Sequence, residues 1–534
     1  FADLHPHLMV LPFTLLAIGL SLALVLGAQG GEGRKGYSWL SKAALGEWAL
    51  LLAAGVTVGA LRVINTWDFP SYLILAVGAA FLAAFFRRGG LSVGLLGEVV
   101  VKAAFVYAVG YVALLPFHMT NETFFSSVEA TTNRTVLWQF LAIFGLPVFI
   151  LGSFFLYEAR DWLAAAWRWT WSVVSGNGDR EVYGRPGMPV GGMLGERGNV
   201  AVGMVSAMRV GVLVLVLAGL GYVLAVFASA PLGSTIPFLA MLLLVVFAVG
   251  ARWAFSSRPD APVLAFLALS VGLAFALGLG LDLYRVEGDI DRMNSVFKIY
   301  LQIWVLLSLG AAYALWRLAG VVPWRRLPRM GPAGWAWTSV LILLFASAGI
   351  YTIVGTASRL KDRFDGNVTL LTLDGMAYME HAVFSDEKGA VALMEDYDGI
   401  LWLQRNVEGS PVILEAHTPT YRWGNRIANY TGLPSVIGWE WHQQQQRWDY
   451  QPQIAQRISE VNRFFSTGDI SASLEIVRKY NVQYVYIGTL EKLYYPVEGI
   501  DKFQRMGPYL DEVYKDRHAT IYKVRPEVLG VVAR

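Results

Sequence analysis

The stretch Phe1-Ala-Asp-Leu-His-Pro-His7 comes directly before the apolar run LMVLPFTLLAIGLSLALVLG, residues 8–27. About 20 apolar residues in a helix are enough to cross the hydrocarbon core of a bilayer. Because a residue before proline favours extended backbone, we expect His5 to be extended. Alternation along an extended segment would then place Asp3, His5 and His7 on one side. This stretch therefore predicts a membrane span with a polar edge at its entrance.

Two interpretations of this polar edge remain open. A carboxylate and two imidazoles on one side are typical of a metal site or of an acid/base pair, which makes Asp3 and His5 candidate catalytic residues and Asp3, His5 and His7 candidate metal ligands. The alternative is a polar lip at a helix start, with Asp3 as the N-cap residue.

The composition of the whole chain indicates a polytopic membrane protein. Of its 534 residues 55% are hydrophobic and only 16% are charged, against about 25% charged residues in soluble domains. The mean hydropathy is +0.47. The net charge of +3 gives no electrostatic reason to expect a nucleic-acid partner. The chain has no cysteine, which excludes disulfides and thiolate metal sites.

The distribution of apolar runs predicts a membrane domain over residues 1–354 and a separate domain over residues 355–534. In the second domain the apolar runs shorten to strand length and charges become frequent, which favours a small α/β domain with strands expected at 411–415, 435–438, 482–487 and 520–524. The chain begins inside a polar motif without Met or a signal peptide, so we expect further spans to precede it. About ten spans are predicted, at 8–27, 48–64, 71–86, 96–117, 137–156, 208–229, 235–255, 261–279, 299–318 and 335–354.

The Lys and Arg residues between the spans predict the orientation of the chain. Sixteen of them fall in the loops on the side away from Asp3, and only four or five fall on the side of Asp3. Cytoplasmic loops carry the excess of positive charge, so we expect the side of Asp3 and the C-terminal domain to face outward.

Two outward motifs carry charged residues at the ends of spans. Arg62 lies inside an apolar run, six residues before Asp68, and either pairs with Asp68 in a tight turn or holds an anion such as a phosphate. The second motif runs from Glu287 to Lys298. In it Asp289 and Asp291 are candidate ligands of a hard divalent cation, or acids at a helix start. Arg292 and Lys298 are candidate phosphate ligands, and Asn294 lies between them.

The domain after residue 355 has an aromatic and polar centre. Tyr421, Trp439 and His442 lie in the loops that we expect after its strands, where α/β folds bind ligands. Aromatic faces beside Arg, Asn and Gln are suited to sugar recognition. The alternative is a surface loop packed by its own aromatic side chains.

Four separated motifs resemble those of a known family. They are Asp3-Leu-His-Pro-His7, Asn65-Thr-Trp-Asp-Phe-Pro70, Arg292-Met-Asn-Ser-Val-Phe-Lys298 with Tyr300-Leu-Gln302, and Tyr484-Val-Tyr-Ile-Gly488 with Glu491 and Tyr494-Tyr495. In this order they resemble an uncharacterised archaeal and Chloroflexi membrane-protein family named for a Tyr-Tyr-Tyr motif. That family is similar to the C-type glycosyltransferases, which take a sugar from a polyprenyl phosphate at the outer membrane face, often with a divalent metal.

The resemblance implies a polytopic α-helical membrane glycosyltransferase with a C-terminal extracytoplasmic α/β domain. We expect Asp3 to act as the base or as a metal ligand with His5, and Mg²⁺ or Mn²⁺ as the metal. The expected partners are a polyprenyl-phosphate-linked sugar, membrane lipid and a glycan or protein acceptor. The alternative function is a transporter or lipid-handling protein with an outer binding domain. Binding of donor or acceptor is assigned to Arg62, Asp68, Arg292, Asn294, Lys298, Tyr421, Trp439 and His442.

Overall fold

The structure, a computed structural model, describes residues 6–28, 42–121, 127–174, 233–287, 289, 291–320, 331–363 and 372–530. The chain forms two compact units, residues 1–350 and residues 351–534. Each unit has its own hydrophobic core.

The first unit is a bundle of apolar helices. In the described part of the chain nine helices are long and apolar enough to cross a membrane, and they match every predicted span except 208–229, which lies outside the described residues. The helices are α1 (Pro6–Gly27), α2 (Lys42–Ile64), α3 (Asp68–Arg88), α4 (Val93–Ala113), the short α5 (Leu115–Thr120), α6 (Leu137–Val174), α7 (Thr235–Ala254), α8 (Ala261–Leu283), α9 (Met293–Ala319) and α10 (Pro332–Ile350).

Helix α8 is at the centre of the bundle. It packs against α1, α3, α7 and α9, and most of its side chains are buried, including Val271 and Ala274. A helix that is apolar on all sides is stable only where neighbouring helices or lipid surround it. The central position of α8 therefore follows from its composition.

Small residues allow α2 and α4 to approach closely. A Cβ atom added at Gly59 of α2 would lie 2.5 Å from the carbonyl oxygen of Gly110 in α4. Helices in membranes commonly associate through such small residues, because packing replaces the hydrophobic driving force that lipid does not supply. A side chain at Gly59 would force the two helices apart.

A short two-stranded sheet joins two loops of the bundle at the end where α6 and α9 begin. Strand β1 (Val128–Ala130) pairs antiparallel with β2 (Tyr284–Val286). This pairing fixes the segment that enters α6 against the segment that connects α8 to α9, and both segments carry residues of the sites described below.

The second unit is an α/β domain, as the sequence predicts. It contains a hairpin of β3 (Val383–Asp386) and β4 (Gly389–Ala392), and a four-stranded sheet of order β5-β6-β8-β7. Strands β5 and β6 are parallel, and the other two pairs are antiparallel. The sheet strands are β5 (Val412–Leu414), β6 (Val482–Ile487), β7 (Leu510–Lys515) and β8 (Thr520–Val524).

Helices flank this sheet. They are α12 (Met394–Asn406), α13 (Arg426–Thr431), α14 (Glu440–Gln446), α15 (Gln451–Ser466), α16 (Ile470–Lys479), α17 (Thr489–Tyr494) and α18 (Val497–Asp501). Helix α11 (Thr356–Arg363) precedes the domain's strands in the sequence, and its residues 356–362 are exposed. The predicted strands at 482–487 and 520–524 are confirmed. The expected strand at 435–438 is reduced to a single bridge between Ser435 and Ile413.

Candidate functional site

Three of the separated motifs meet at one end of the helix bundle. The ring of His7, at the start of α1, lies 4.9 Å from the ring of Phe297, at the start of α9. Gln302 of α9 donates a hydrogen bond of 3.0 Å from Nε2 to the carbonyl oxygen of Trp67, in the turn between α2 and α3. The Nζ atom of Lys298 lies 4.6 Å from the centre of the Trp67 ring. Helix α9 therefore joins the first motif to the second.

The turn between α2 and α3 holds a buried carboxylate. Asp68 is only 3% exposed, and its carboxylate accepts a hydrogen bond from the Asn65 side-chain amide. No Lys, Arg or His among the described residues lies within 4.0 Å of that carboxylate. A buried charge without an opposite charge is costly in a membrane protein, and such residues usually serve function.

Gln302 adds a buried acceptor to the same end. The residue is 1% exposed, and within the described ranges its Oε1 atom accepts no hydrogen bond. A buried acceptor without a donor costs about 1–3 kcal/mol. A hydroxyl group of a bound ligand would supply the missing donor.

Two cations are held over aromatic rings of this turn. Lys298 lies over Trp67, and the guanidinium of Arg62 lies 5.5 Å from the centre of the Phe69 ring. Both cations are half-buried, and neither forms an ion pair with a described residue. The predicted pairing of Arg62 with Asp68 is therefore absent, and the alternative, an anion site, is consistent with the unpaired charge of both cations.

Arg292 lies in a different environment from Arg62 and Lys298. It is 8% exposed and donates from Nη1 to Asp282 Oδ1 at 2.7 Å and to the Leu281 carbonyl oxygen at 2.8 Å. Its Nη2 donates to Thr135 Oγ1 at 3.0 Å. Asp282 also accepts hydrogen bonds from Thr135 N and the Thr235 hydroxyl. Since these bonds join the starts of α6, α7 and α9 to the end of α8, the geometry favours a structural role for Arg292 over phosphate binding.

The structure separates the two acids of the Asp-x-Asp pair. Asp289 accepts hydrogen bonds from Asn294 N, Ser295 N and Ser295 Oγ at 2.7–3.1 Å, so it caps the start of α9. Asp291 accepts a hydrogen bond of 2.7 Å from Asn133 Nδ2 and lies 3.9 Å from Arg285. Their oxygens serve different protein donors, which does not fit a shared divalent cation. The helix-start interpretation explains Asp289, and Asn294 contributes its backbone to that cap.

The candidate catalytic residues Asp3 and His5 lie outside the described residues. Their roles as base and metal ligands therefore stay predictions. The third member of the motif, His7, is 2% exposed and packs on Phe297. Within the described residues no group of three or more His, Asp or Glu side chains is placed to hold a metal ion.

The aromatic residues predicted for the second unit do form one cluster. The ring centre of Tyr421 lies 5.4 Å from that of Trp439 and 5.2 Å from that of His442, and the Trp439 and His442 rings lie 5.8 Å apart. Trp439 is oriented by a 3.1 Å hydrogen bond from Nε1 to the Gly424 carbonyl oxygen. Tyr421 is 58% exposed, so one face of the cluster is open to a ligand.

A fully buried ion network supports the loop that carries this cluster. Arg426 donates to Asp396 at 2.6 and 3.0 Å and to Glu491 at 2.9 and 3.2 Å. Glu415 accepts the backbone N–H groups of Ile427 and Ala428 at 2.9 Å each. Burial raises the pKa of Glu415 to about 7, although the nearby Arg426 opposes that shift. The network ties β5, α12 and α17 to the loop.

Sequence reasoning did not single out Trp67 or Gln302 as site residues. The sequence does indicate that Gln302 is unusual, since it is a polar residue inside the predicted span 299–318. It also indicates that Asp282 is unusual, because Asp282 is the first acid after a long apolar run. Trp67 gave no such signal, since its contact with Lys298 joins residues far apart in the sequence.

A family model describes the part of the chain that contains this end of the bundle. The model matches residues 1–307, more than half of the chain, and its description is "Uncharacterized membrane protein (DUF2298)". Neither the curated proteins nor the solved structures contain a match to the chain. The chain therefore belongs to the DUF2298 family of uncharacterised membrane proteins.

Proposed function

We propose that this membrane protein transfers a sugar from a polyprenyl-phosphate donor to an acceptor at the end of the bundle where α1, α3 and α9 begin. The excess of Lys and Arg at the opposite end supports an outer-face location for this end, and our proposal extends that location to the second unit. The reaction class comes from the resemblance of the four motifs. They resemble a membrane-protein family that is similar to the C-type glycosyltransferases.

One observation carries the proposal: three motifs that are far apart in the sequence meet at this end of the bundle. Among the described residues they present a cation without an ion-pair partner, a carboxylate without a nearby cation and a buried acceptor without a hydrogen-bond donor. Lys298 supplies the cation, Asp68 the carboxylate and Gln302 the acceptor. A sugar phosphate on a lipid needs these groups, since its phosphate is anionic and its hydroxyls donate hydrogen bonds. In this proposal the Trp67 ring, which contacts Lys298, offers an aromatic face for the sugar.

The reaction that we propose forms one bond and breaks one bond. An acceptor hydroxyl oxygen attacks C1 of the sugar, and the bond from C1 to the phosphate oxygen breaks with its electron pair on the phosphate. Lys298 and Arg62 stabilise the negative charge of the departing polyprenyl phosphate. The acceptor proton passes to a carboxylate, which we assign to Asp3. Asp3 precedes His7 by four residues, so covalent geometry keeps their Cα atoms within about 14 Å.

Asp68 and Gln302 position the donor in this proposal. The Asp68 carboxylate accepts a hydrogen bond from one sugar hydroxyl, and the Gln302 Oε1 atom accepts one from another. The Tyr421, Trp439 and His442 cluster of the second unit binds the acceptor, as a glycan or a glycosylated protein. Asp289 and Asp291 do not fit a shared metal ion, so no metal is assigned to them in this mechanism. A divalent ion on Asp3, His5 and His7 stays a prediction.

Transfer by the purified full-length protein tests the proposal directly. The probes are polyprenyl phosphates that carry radiolabelled glucose, mannose or N-acetylglucosamine, incubated with glycan acceptors in detergent. We expect transfer from at least one donor by the wild type and a loss of at least a hundredfold in Asp3→Asn. The exposed variant Lys361→Met serves as the control and should keep full activity. Equal transfer by wild type and Asp3→Asn would remove Asp3 from the mechanism, and no transfer from any donor would refute the proposal.

A further inference from the structure

The loop after strand β5 holds the backbone of His417 in a fixed position. The His417 N–H group donates a hydrogen bond of 3.1 Å to the hydroxyl oxygen of Tyr495, and the carbonyl oxygen of His417 lies 3.1 Å from the same hydroxyl. The preceding residue, Ala416, donates from N to Glu491 Oε1 at 2.8 Å. The carboxyl ends of parallel strands, such as β5 beside β6, are where α/β folds bind ligands. His417 is therefore a rigidly held residue at an end of the sheet that is suited to binding.

The imidazole of His417 is buried without a hydrogen-bond partner. Its side chain is only 10% exposed, and its Nε2 atom forms no hydrogen bond with the residues that the structure describes. Burial lowers the pKa of His417, although the nearby Glu440 opposes that shift, so the ring is mostly neutral at neutral pH. A buried polar atom without a partner is unfavourable and rare in a folded protein. The Nε2 atom therefore indicates a place where a further interaction forms.

A carboxylate within reach of this Nε2 atom belongs to Glu440, the first residue of α14. The distance from His417 Nε2 to Glu440 Oε2 is 3.9 Å, and the Glu440 side chain is 44% exposed. A shift of about 1 Å by this exposed side chain would form a hydrogen bond of about 2.9 Å. That bond fixes one carboxylate oxygen and leaves the other for a ligand. His417 is therefore placed to act as a positioning residue for Glu440.

The charge of Glu440 is not balanced by a Lys or Arg side chain. In the described ranges no such cation lies within 4.0 Å of its carboxylate. The arginines of the same region have other partners, since Arg422 pairs with Glu387 and Arg447, at the end of α14, donates to the side chain of Gln443. Glu440 is therefore available to a cationic ligand.

This carboxylate adjoins the aromatic cluster of Tyr421, Trp439 and His442. Glu440 directly follows Trp439 in the chain, and His442 lies on the first turn of the same helix. Tyr421 has a left-handed backbone with a φ of 66°, which is rare for a residue with a large side chain. Such strained positions are concentrated at active sites and ligand-binding sites. The faces of Tyr and Trp rings attract cations, because the ring quadrupole is negative over the face.

We propose that Glu440, positioned by His417 and flanked by Tyr421 and Trp439, binds the ammonium group of an amino sugar. This inference rests on the proposed function, which assigns the acceptor glycan to this cluster. The aromatic faces pack on the sugar ring, and the carboxylate accepts a charge-assisted hydrogen bond from the ammonium group. An N-acetyl group in place of the amine removes that charge. The second unit is thereby selective for acceptor glycans with free amines.

The test compares two ligands that differ only in N-acetylation. They are the trisaccharide of β-1,4-linked glucosamine and its fully N-acetylated counterpart, titrated calorimetrically into the full-length protein in detergent at neutral pH and physiological salt. We expect the free amine to bind the wild type at least tenfold more tightly, as a charge-assisted hydrogen bond implies. Glu440→Gln should bring the two affinities to within about twofold of each other. Glu475→Gln, at an exposed position on α16, serves as the control and should keep the preference.

Two variants of His417 test its positioning role. His417→Gln places an amide N–H close to the position of Nε2 and should keep most of the preference. His417→Phe should lower the preference about threefold without changing the affinity for the acetylated sugar, because only the carboxylate loses its support. An unchanged preference in His417→Phe would remove His417 from the site.

The remaining outcomes separate this inference from the proposed function. Equal binding of both sugars by the wild type, or an unchanged preference in Glu440→Gln, would overturn the amino-sugar site and leave sugar transfer standing, since the transfer assay measures that reaction independently. Binding of neither sugar would overturn the amino-sugar site together with the assignment of glycan binding to the aromatic cluster.

Discussion

The ammonium group of Lys298 lies 4.6 Å from the centre of the Trp67 ring, and no described carboxylate lies within 4.0 Å of it. A cation held over an indole face keeps its position without being neutralised, since the attraction comes from the ring quadrupole. The contact also joins α9 to the turn between α2 and α3. Lys298 is thus fixed in place and still carries a full charge for an anionic ligand.

Replacement of Lys298 by Met should impair donor binding while leaving the fold intact. A hydrogen bond to a charged group is worth about 1.5–3 kcal/mol, so the KM for the polyprenyl-phosphate sugar should rise by about 10- to 100-fold. Lys298→Arg should recover part of this loss, because it restores the charge over Trp67. An unchanged KM in Lys298→Met, with Lys361→Met as the matched control, would remove Lys298 from the site.

Asp68→Asn should separate stability from activity. The substitution keeps an acceptor for the Asn65 amide and removes a buried charge that no described cation balances. The unfolding free energy should therefore stay the same or rise by up to about 1–2 kcal/mol, and the melting temperature should not fall. The rate of sugar transfer should fall at least tenfold if the Asp68 carboxylate binds a hydroxyl group of the donor sugar. A lower melting temperature with normal transfer would show that Asp68 is structural.

Sequence patterns were sufficient to predict the membrane helices, because length and apolarity alone define a span. They also predicted that the motifs around His7, Asp68 and Lys298 belong to one end of the bundle. They did not predict the position of Arg292. Its partners Asp282 and Thr135 lie in two other segments, so only the folded bundle reveals that its guanidinium is occupied.

In the second unit, too, the sequence predicts some strands and misses others. The predicted strands β6 and β8 lie inside the sheet and have apolar residues to bury. Strand β7 was missed because it is at the edge of the sheet, where Asp511, Glu512 and Lys515 remain solvated and no apolar run develops.

The pair of Arg292 and Asp282 should behave as a structural cross-link. Removing one partner leaves the other charge buried, so Arg292→Met and Asp282→Leu should each lower the unfolding free energy by about 3–5 kcal/mol. The double variant should be less destabilised than the sum of the two, because it leaves neither charge alone. Thermal unfolding in detergent measures all four members of this cycle. Strictly additive losses would contradict the direct pairing.

Tyr421→Ala should weaken glycan binding by the second unit without changing its stability. The Tyr421 side chain is 58% exposed and contacts Trp439 and His442, so its removal opens the aromatic cluster and leaves the buried core unchanged. We expect the affinity of the full-length protein for the acceptor glycans to fall by about tenfold. Tyr450→Ala, at a tyrosine 47% exposed in the same unit, should have no effect. Equal effects of both substitutions would contradict a specific site.

Lys502 should make the second unit more stable as the pH rises. Its side chain is fully buried, donates hydrogen bonds to the carbonyl oxygens of Phe464 and Thr467, and has its pKa lowered to about 8 by burial. In the unfolded chain the pKa returns to about 10.4. Between about pH 8 and pH 10.4 the unfolded state therefore binds more protons than the folded state, and stability increases with pH across that window.

The expected gain is about 3 kcal/mol over the whole window, from about 1.4 kcal/mol per pH unit for a single group. It is observable as the difference between the wild type and Lys502→Met, because other titrating groups contribute equally to both. Thermal unfolding of the full chain at pH 7.5, 8.5 and 9.5, followed by far-ultraviolet circular dichroism, measures this difference. Parallel curves for the two proteins would mean that the ammonium group is as well solvated by the two carbonyl oxygens as it is in water, in spite of its burial.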